Sequence, residues 1–254
     1  MLSVFGSSVV ILATVAGAIV LLFVLRSFWS SELRRVHNDV IGWHVSVIGS
    51  TYAVIVGFML FAVWSNFETA ENIADSEANC LVNVVRSSRG LAPSSHEQIR
   101  RLALQYANVM LSDEWPAMEQ GRVSPASHAI IQQLWVAVTD SPTHTSLEQT
   151  SLDHTFGELA RMTEYRRSRQ LQANSYLPGI LWLVLVLGAT ITIVSACLFG
   201  TADFKLHLIQ VTMLALMISS VLTAVADINL PFQGAVHITA ECFERARTAI
   251  VDFK

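Results

Sequence analysis

Asp227 is the only carboxylate within or at the edge of a long apolar run in this sequence. An ionisable group at such a depth in a membrane is a functional candidate by default. The competing reading is a helix-end residue facing Asn229 or water. A second set of charges lies at Glu68, Glu71 and Asp75, three and four residues apart, so that all share one helical face. Acids ringed outside the mouth of a membrane helix would concentrate cations and repel anions. The four arginines Arg161, Arg166, Arg167 and Arg169 are placed to pair with those acids and cancel their field. His96, His128, His144 and His154 are dispersed and read as solvated surface residues, while His37 and His44 stand too far apart to make a metal pair. Cys80, Cys197 and Cys242 are odd in number and form no close pair, so neither a disulfide framework nor a zinc site is expected. The chain contains no Walker A loop and no G-x-G-x-x-G, H-E-x-x-H or G-x-S-x-G pattern. No cofactor or metal is expected, the chain is not read as an enzyme, and chemistry on a lipid at Asp227 ranks third among the functional readings.

The stretch that must carry the acids is His37 to Glu71. From Ile41 to Trp64 it has no Asp, Glu, Lys or Arg. As a helix that segment would rise about 36 Å, enough to cross a hydrocarbon core of about 30 Å. Gly42, Ser46, Gly49, Ala53 and Gly57 recur at helical spacing. Such a small-residue stripe lets another backbone approach closely in lipid, where apolar side chains alone do not drive association. It serves equally well for packing inside one subunit or for lining a pore. Ser46, Ser50 and Thr51 are the only hydroxyl side chains of this span besides Tyr52, and below them it is apolar to Trp64. A pore with those walls needs a hydrophobic constriction that can gate by dewetting.

The rest of the chain fits an all-α membrane protein. Of its residues 52% are hydrophobic and 14% charged, with the charges clustered away from the apolar runs, and the net charge of −4 gives no reason to expect nucleic acid. Spans are expected at about 4–25, 41–64, 179–200 and 206–228, which divides the chain into a membrane hairpin (1–64), a helical extramembrane bundle (65–177), a second hairpin (178–229) and a short tail (230–254). Asn38 and Asp39 are placed to cap the second span. Within the bundle, Ser94 with Glu97 and Thr145 with Glu148 have capping-box spacing, Gly90 and Pro93 break the first helix, and Trp115-Pro116 should kink or end the second. Ser124-Pro125 reads as an N-cap with proline at the first helical position. Leu152, Phe156, Leu159 and Met162 are the apolar positions of the last long helix. Basic residues near the membrane lean towards a cytoplasmic bundle, although the first helix, flanked by Arg26 to Arg35, argues the other way.

Several segments together resemble a known family. Arg34-Arg-Val-His-Asn-Asp precedes the second span, Tyr52-Ala-Val-Ile-Val-Gly-Phe lies inside it and Val63-Trp64 ends it. Glu114-Trp-Pro, Leu177-Pro-Gly-Ile-Leu-Trp, and Asp227 with Pro231-Phe-Gln-Gly follow in order. These are similar to motifs of the bestrophin-like membrane family of bacteria, and the likeness covers nearly the whole chain. Members often read V-S-P-E-P-F where this sequence has Ile238-Thr-Ala-Glu-Cys-Phe, so both prolines are missing and a looser tail is expected. The resemblance implies kinship to bestrophins, oligomeric four-span anion channels with a helical cytoplasmic region. The leading expectation is a homo-oligomeric ion channel in the bacterial cytoplasmic membrane, whose partners are the lipid bilayer, further copies of itself and inorganic ions. The alternative is a non-conducting scaffold or sensor whose bundle binds a partner.

Overall fold

Long charge-free runs become long helices, and the charged segment between them becomes a bundle of shorter ones. The structure is a computed structural model that describes residues 4–122 and 124–253. The element order is α1 (Val4–Phe28), α2 (Ser31–Arg35), α3 (Asn38–Ser87), α4 (Pro93–Val109), α5 (Trp115–Glu119), α6 (Ala126–Thr139), α7 (Ser146–Gln172), α8 (Gly179–Cys197), α9 (Phe204–Ile228) and α10 (Glu241–Asp252). No strand occurs among the described residues. The helices α1, α3, α8 and α9 are each long and apolar enough to cross a membrane. The chain divides into two compact units, residues 1–65 with 176–229 and residues 66–175 with 230–254.

The first unit holds the four apolar helices. Ala18 and Leu22 of α1, Tyr52 of α3, Ala189, Ile193 and Cys197 of α8, and Val211, Ala215 and Ile218 of α9 form its core. The Tyr52 ring lies against Gly188, where a side-chain carbon would collide with it, and its hydroxyl donates to Leu185 O at 3.1 Å. The glycine of α8 is therefore a seat for an aromatic ring. At one end of this unit the two short links clasp each other. Asn38 does not cap α3; its side chain donates to Gly200 O at 2.8 Å and accepts from Gly200 N at 2.9 Å. Arg34 is buried and donates to Cys197 O at 2.9 Å, while His207 Nε2 lies 3.1 Å from Ala196 O. Cationic and polar groups thus meet the last carbonyls of α8, which a helix end leaves without partners. That clasp also explains why α8 stops at Cys197 rather than 200: the Gly200 backbone groups are taken by Asn38.

The second unit contains the remainder of α3, α4 to α7 and α10. The α3 helix ends at Ser87, followed by a 3-10 turn at Ser88–Gly90. The expected Ser94–Glu97 box does not form; α4 begins at Pro93 without a side-chain cap, and Glu97 instead pairs with Arg100 at 3.0 Å. Proline at the first position has no N–H to satisfy, so this helix start needs no box. Thr145 and Glu148 do make the full reciprocal box at the start of α7. Pro116 does not end its helix. A π-helical turn at Met110–Glu114 precedes it and widens the backbone, which relieves a ring that would clash with a regular turn. Ser124 Oγ accepts from Ala126 N at 3.2 Å, and α6 starts one residue later than the proline rule implies. The tail is not loose. In α10, Cys242, Phe243, Ala246 and Ile250 are buried on one face, and the Phe243 ring packs against Trp115 and Tyr106.

Candidate functional site: the second span and the charges beyond it

The small-residue stripe of α3 is largely left uncovered within the first unit. Nothing lies within 4 Å of where a side chain at Gly49 or Gly57 would begin, and only the Phe199 ring, at 3.5 Å, meets that position at Gly42. Ser46, Ser50, Ala53 and Gly57 are exposed, as are the bulky Val54, Phe58 and Phe61. Of the most apolar stretch of this helix 6% is buried in the chain, against 28% for α8 and 33% for α9. Ser46 and Ser50 satisfy their hydroxyls on the carbonyls of Gly42 and Val47, at 2.8 and 3.1 Å. Beside the stripe, Gly49, Tyr52, Ala53 and Val56 share a cavity of about 210 Å³ with Thr192 and residues of α9. Asp227 sits half-buried in the last turn of α9, and the neighbouring Asn229 accepts from Leu177 N at 2.9 Å.

In the second unit Glu68 and Glu71 are exposed on α3. Asp75, partly exposed, pairs with Arg245 of α10 at 3.1 Å, and Arg245 also reaches Glu241 at 3.4 Å. Three of the four arginines of α7 are engaged elsewhere, and Arg167 is exposed. Arg161 pairs with Glu158 at 3.1 Å, Arg166 donates to Ser127 Oγ at 2.8 Å, and Arg169 is fully buried. Of the histidines, His128, His144 and His154 are exposed as expected. His96 is half-buried instead, 2.8 Å from Ser88 Oγ, and burial with Arg89 nearby keeps it below its ordinary pKa. Among the described residues no group of His, Cys, Asp and Glu is arranged to hold a metal ion.

The strongest polar constellation involves residues that sequence reasoning did not bring together. Arg169 donates to Glu77 Oε2 and to Glu114 Oε1, each at 2.7 Å, and all three side chains are buried. Its remaining donors reach the sulfurs of Met118 and Met110, its guanidinium lies 5.5 Å from the centre of the Trp115 ring, and the Tyr106 hydroxyl donates to Glu77 Oε1. Burial alone would lower the Arg169 pKa, but the two carboxylates outweigh it and hold the group above its ordinary value. Burial pushes the Glu114 carboxyl up, yet Arg169, helped by the Ser127 hydroxyl and Arg166, leaves it below the usual range. A signal was present in the spacing. Phe67, Ala70, Ala74, Glu77, Leu81, Val84 and Ser88 are all buried at alternating steps of three and four, so Glu77 occupies a core position. Leu152, Thr155, Leu159, Met162 and Arg169 form the matching buried stripe of α7.

A family model described as the Bestrophin-like domain matches residues 12–243. No curated protein matches the chain. Solved structures of variants of a bacterial bestrophin homologue from Klebsiella pneumoniae are similar in fold. One has a TM-score of 0.74 at 12% identity, over 95% of this chain and 98% of that one. A second gives 0.74 at 14% identity, over 97% and 99%. A third gives 0.72 at 16%, over 96% and 97%.

Proposed function

The chain belongs to the bestrophin-like family, and from that premise we propose that it assembles into a homo-oligomeric ion channel whose second span frames the pore. It is an integral membrane protein; in this reading it sits in the bacterial cytoplasmic membrane with the helical bundle on the cytoplasmic side. The observation that carries the proposal is the uncovered small-residue face of α3, open at Gly49 and Gly57. Of the four membrane-length helices, α3 has the least of its apolar stretch buried in its own chain. Close approach of another backbone along that face is the use for which such a stripe is suited in lipid. Kinship to bestrophins supports the same reading, and lipid, further copies of this chain and inorganic ions are the partners it implies. The hydroxyls of Ser46 and Ser50 bond within their own helix, so an apolar constriction remains the expected gate.

The test is the subunit arrangement of the purified protein in nanodiscs, followed by current recording in planar bilayers. A ring with α3 on its axis and a salt-dependent current is the expected result. A ring without current supports the alternative, a scaffold that binds a partner. That reading draws on an open groove between α4 and α6, about 540 Å³ in volume, lined by Gln98, Arg101, Gln105, Gln132, Gln133 and Val136.

A further inference from the structure

The cavity of about 210 Å³ in the first unit is closed behind by Tyr52, Thr192 and Ile218, which are buried. In front it is bordered by Ala53 of α3 and Met217 of α9, both exposed. It is therefore a slot between two helices, open on the outer surface of the unit. Its depth follows from its lining. Gly49 to Val56 occupy the middle of the charge-free segment of α3, and Leu214 to Val221 the middle of α9. In a hydrocarbon core of about 30 Å the slot thus lies about 15 Å from either surface.

The chemistry of the lining narrows the guest. No lining residue is charged, and its two hydroxyls are committed: Tyr52 donates to Leu185 O at 3.1 Å and Thr192 Oγ1 to Gly188 O at 2.8 Å. Ordered water needs several polar partners, and a lipid headgroup at this depth would strand its charge in hydrocarbon. An apolar cavity of about 150 Å³ stays dry and accepts a guest the size of benzene, so this slot has room for a hydrocarbon segment. Two such guests exist in a bilayer, a lipid chain and a side chain of another copy. The rim separates them. Met213, Leu216 and Met217 make the outer face of α9 bulky as well as exposed. Such a face holds another backbone at a distance. Ser46, Ser50 and Gly57, which would admit one, lie about a quarter-turn further round α3. The slot opens where lipid, not a second copy, fits.

We propose that this slot binds the distal part of one phospholipid acyl chain, seated between α3 and α9 against the Tyr52 ring. The site requires only the membrane spans, and it stands whether or not copies of the chain form a pore. A chain held there gives α3 packing contacts on a side that its own subunit leaves thin. In lipid it is such contacts, rather than exclusion of water, that hold apolar surfaces together. The experiment is electron cryo-microscopy of the full-length protein in phosphatidylcholine nanodiscs. One sample carries ordinary lipid, the other lipid brominated near the end of its acyl chain. The expected result is tubular density in the slot that continues to a headgroup in one leaflet, with bromine scattering beside Tyr52 and Met217. A Val221→Phe variant, whose ring fills the slot from α9, should lose that density, while Val221→Ala keeps it. A side chain of a neighbouring copy in the slot would overturn the proposal and leave the subunit ring standing. Bromine scattering no stronger there than over the remaining apolar surface, or a slot closed by approach of α3 to α9, would also overturn it. A monomer with the chain bound would uphold this site and sink the channel reading.

Discussion

Arg169 joins carboxylates from two different segments, and its fork of donors is what makes that possible. A lysine offers a single ammonium without the planar geometry that serves two acceptors at once. Replacing Arg169 with Met would leave Glu77 and Glu114 buried and like-charged, a loss expected to cost about 3–5 kcal/mol; Arg169→Lys should recover only part of it, as read by thermal melts in detergent. The pH dependence has a definite sign. The folded Glu114 carboxyl lies below its ordinary value, so its contribution is complete above an unfolded pKa of about 4.3 and is lost as pH falls through the lower folded value. Melting temperature measured from pH 6 down to pH 3 should fall less steeply in Glu114→Gln than in the native protein. Parallel profiles would show that Glu114 does not titrate with unfolding. Glu77 and Arg169 were legible in principle, because each interrupts an apolar stripe of period three and four. What the sequence could not reveal was that the two stripes face each other. Without that, Arg169 read as one of four arginines placed to pair with Glu68, Glu71 and Asp75, and Glu77 as nothing in particular.

The elements themselves were far more legible than their mutual contacts. Four charge-free runs gave four membrane-length helices because length and apolarity are local properties. The capping box of α7 was equally local. Failures came where a distant partner outcompeted a local rule. Asn38 had a cap position available but bonds Gly200, whereas Pro116 does interrupt the regular helix, through a π-turn whose Glu114 is tied to Arg169. The uncovered face of α3 permits a clean test at this scale. At Gly49 and Gly57 an added Cβ has no atom of the described residues within 4 Å, whereas at Gly188 it meets the Tyr52 ring. Gly49→Leu and Gly57→Leu should therefore leave the folded subunit intact and weaken assembly, by about 1–3 kcal/mol per contact if a neighbouring backbone packs there. Gly188→Leu should instead destabilise the subunit. Native mass spectrometry and melting curves separate the two effects. An unchanged oligomer in both α3 variants would remove this face from the subunit contact.

At the scale of the whole molecule, ion preference depends on which charges around a central axis remain uncompensated. With α3 around the axis, each copy contributes Glu68, Glu71 and Asp75, and the copies multiply whatever field one subunit leaves. The structure changes the expected sum. Of the four arginines expected to neutralise this face, Arg161, Arg166 and Arg169 are held by Glu158, Ser127 and the buried carboxylates, which leaves Arg167 exposed. Among the described residues Arg245 of the tail alone forms an ion pair with Asp75, and that exposed pair contributes little stability, about 0–1 kcal/mol. Its electrostatic consequence is larger than its energetic one. The mouth should carry net negative charge, favouring cations against the anion preference that bestrophin kinship implies. Neutralising Glu68→Gln, Glu71→Gln and Asp75→Asn together should move the reversal potential under a salt gradient towards that of anions. Arg245→Gln should move it the opposite way, because it frees Asp75 without touching α3. Both shifts should shrink as salt rises towards 1 M, where the screening length falls to about 3 Å. Robust currents with one reversal potential in all three proteins would place these acids away from the conduction path. A shift in the triple variant alone would keep Glu68 and Glu71 at the mouth and remove Asp75 and its arginine from it.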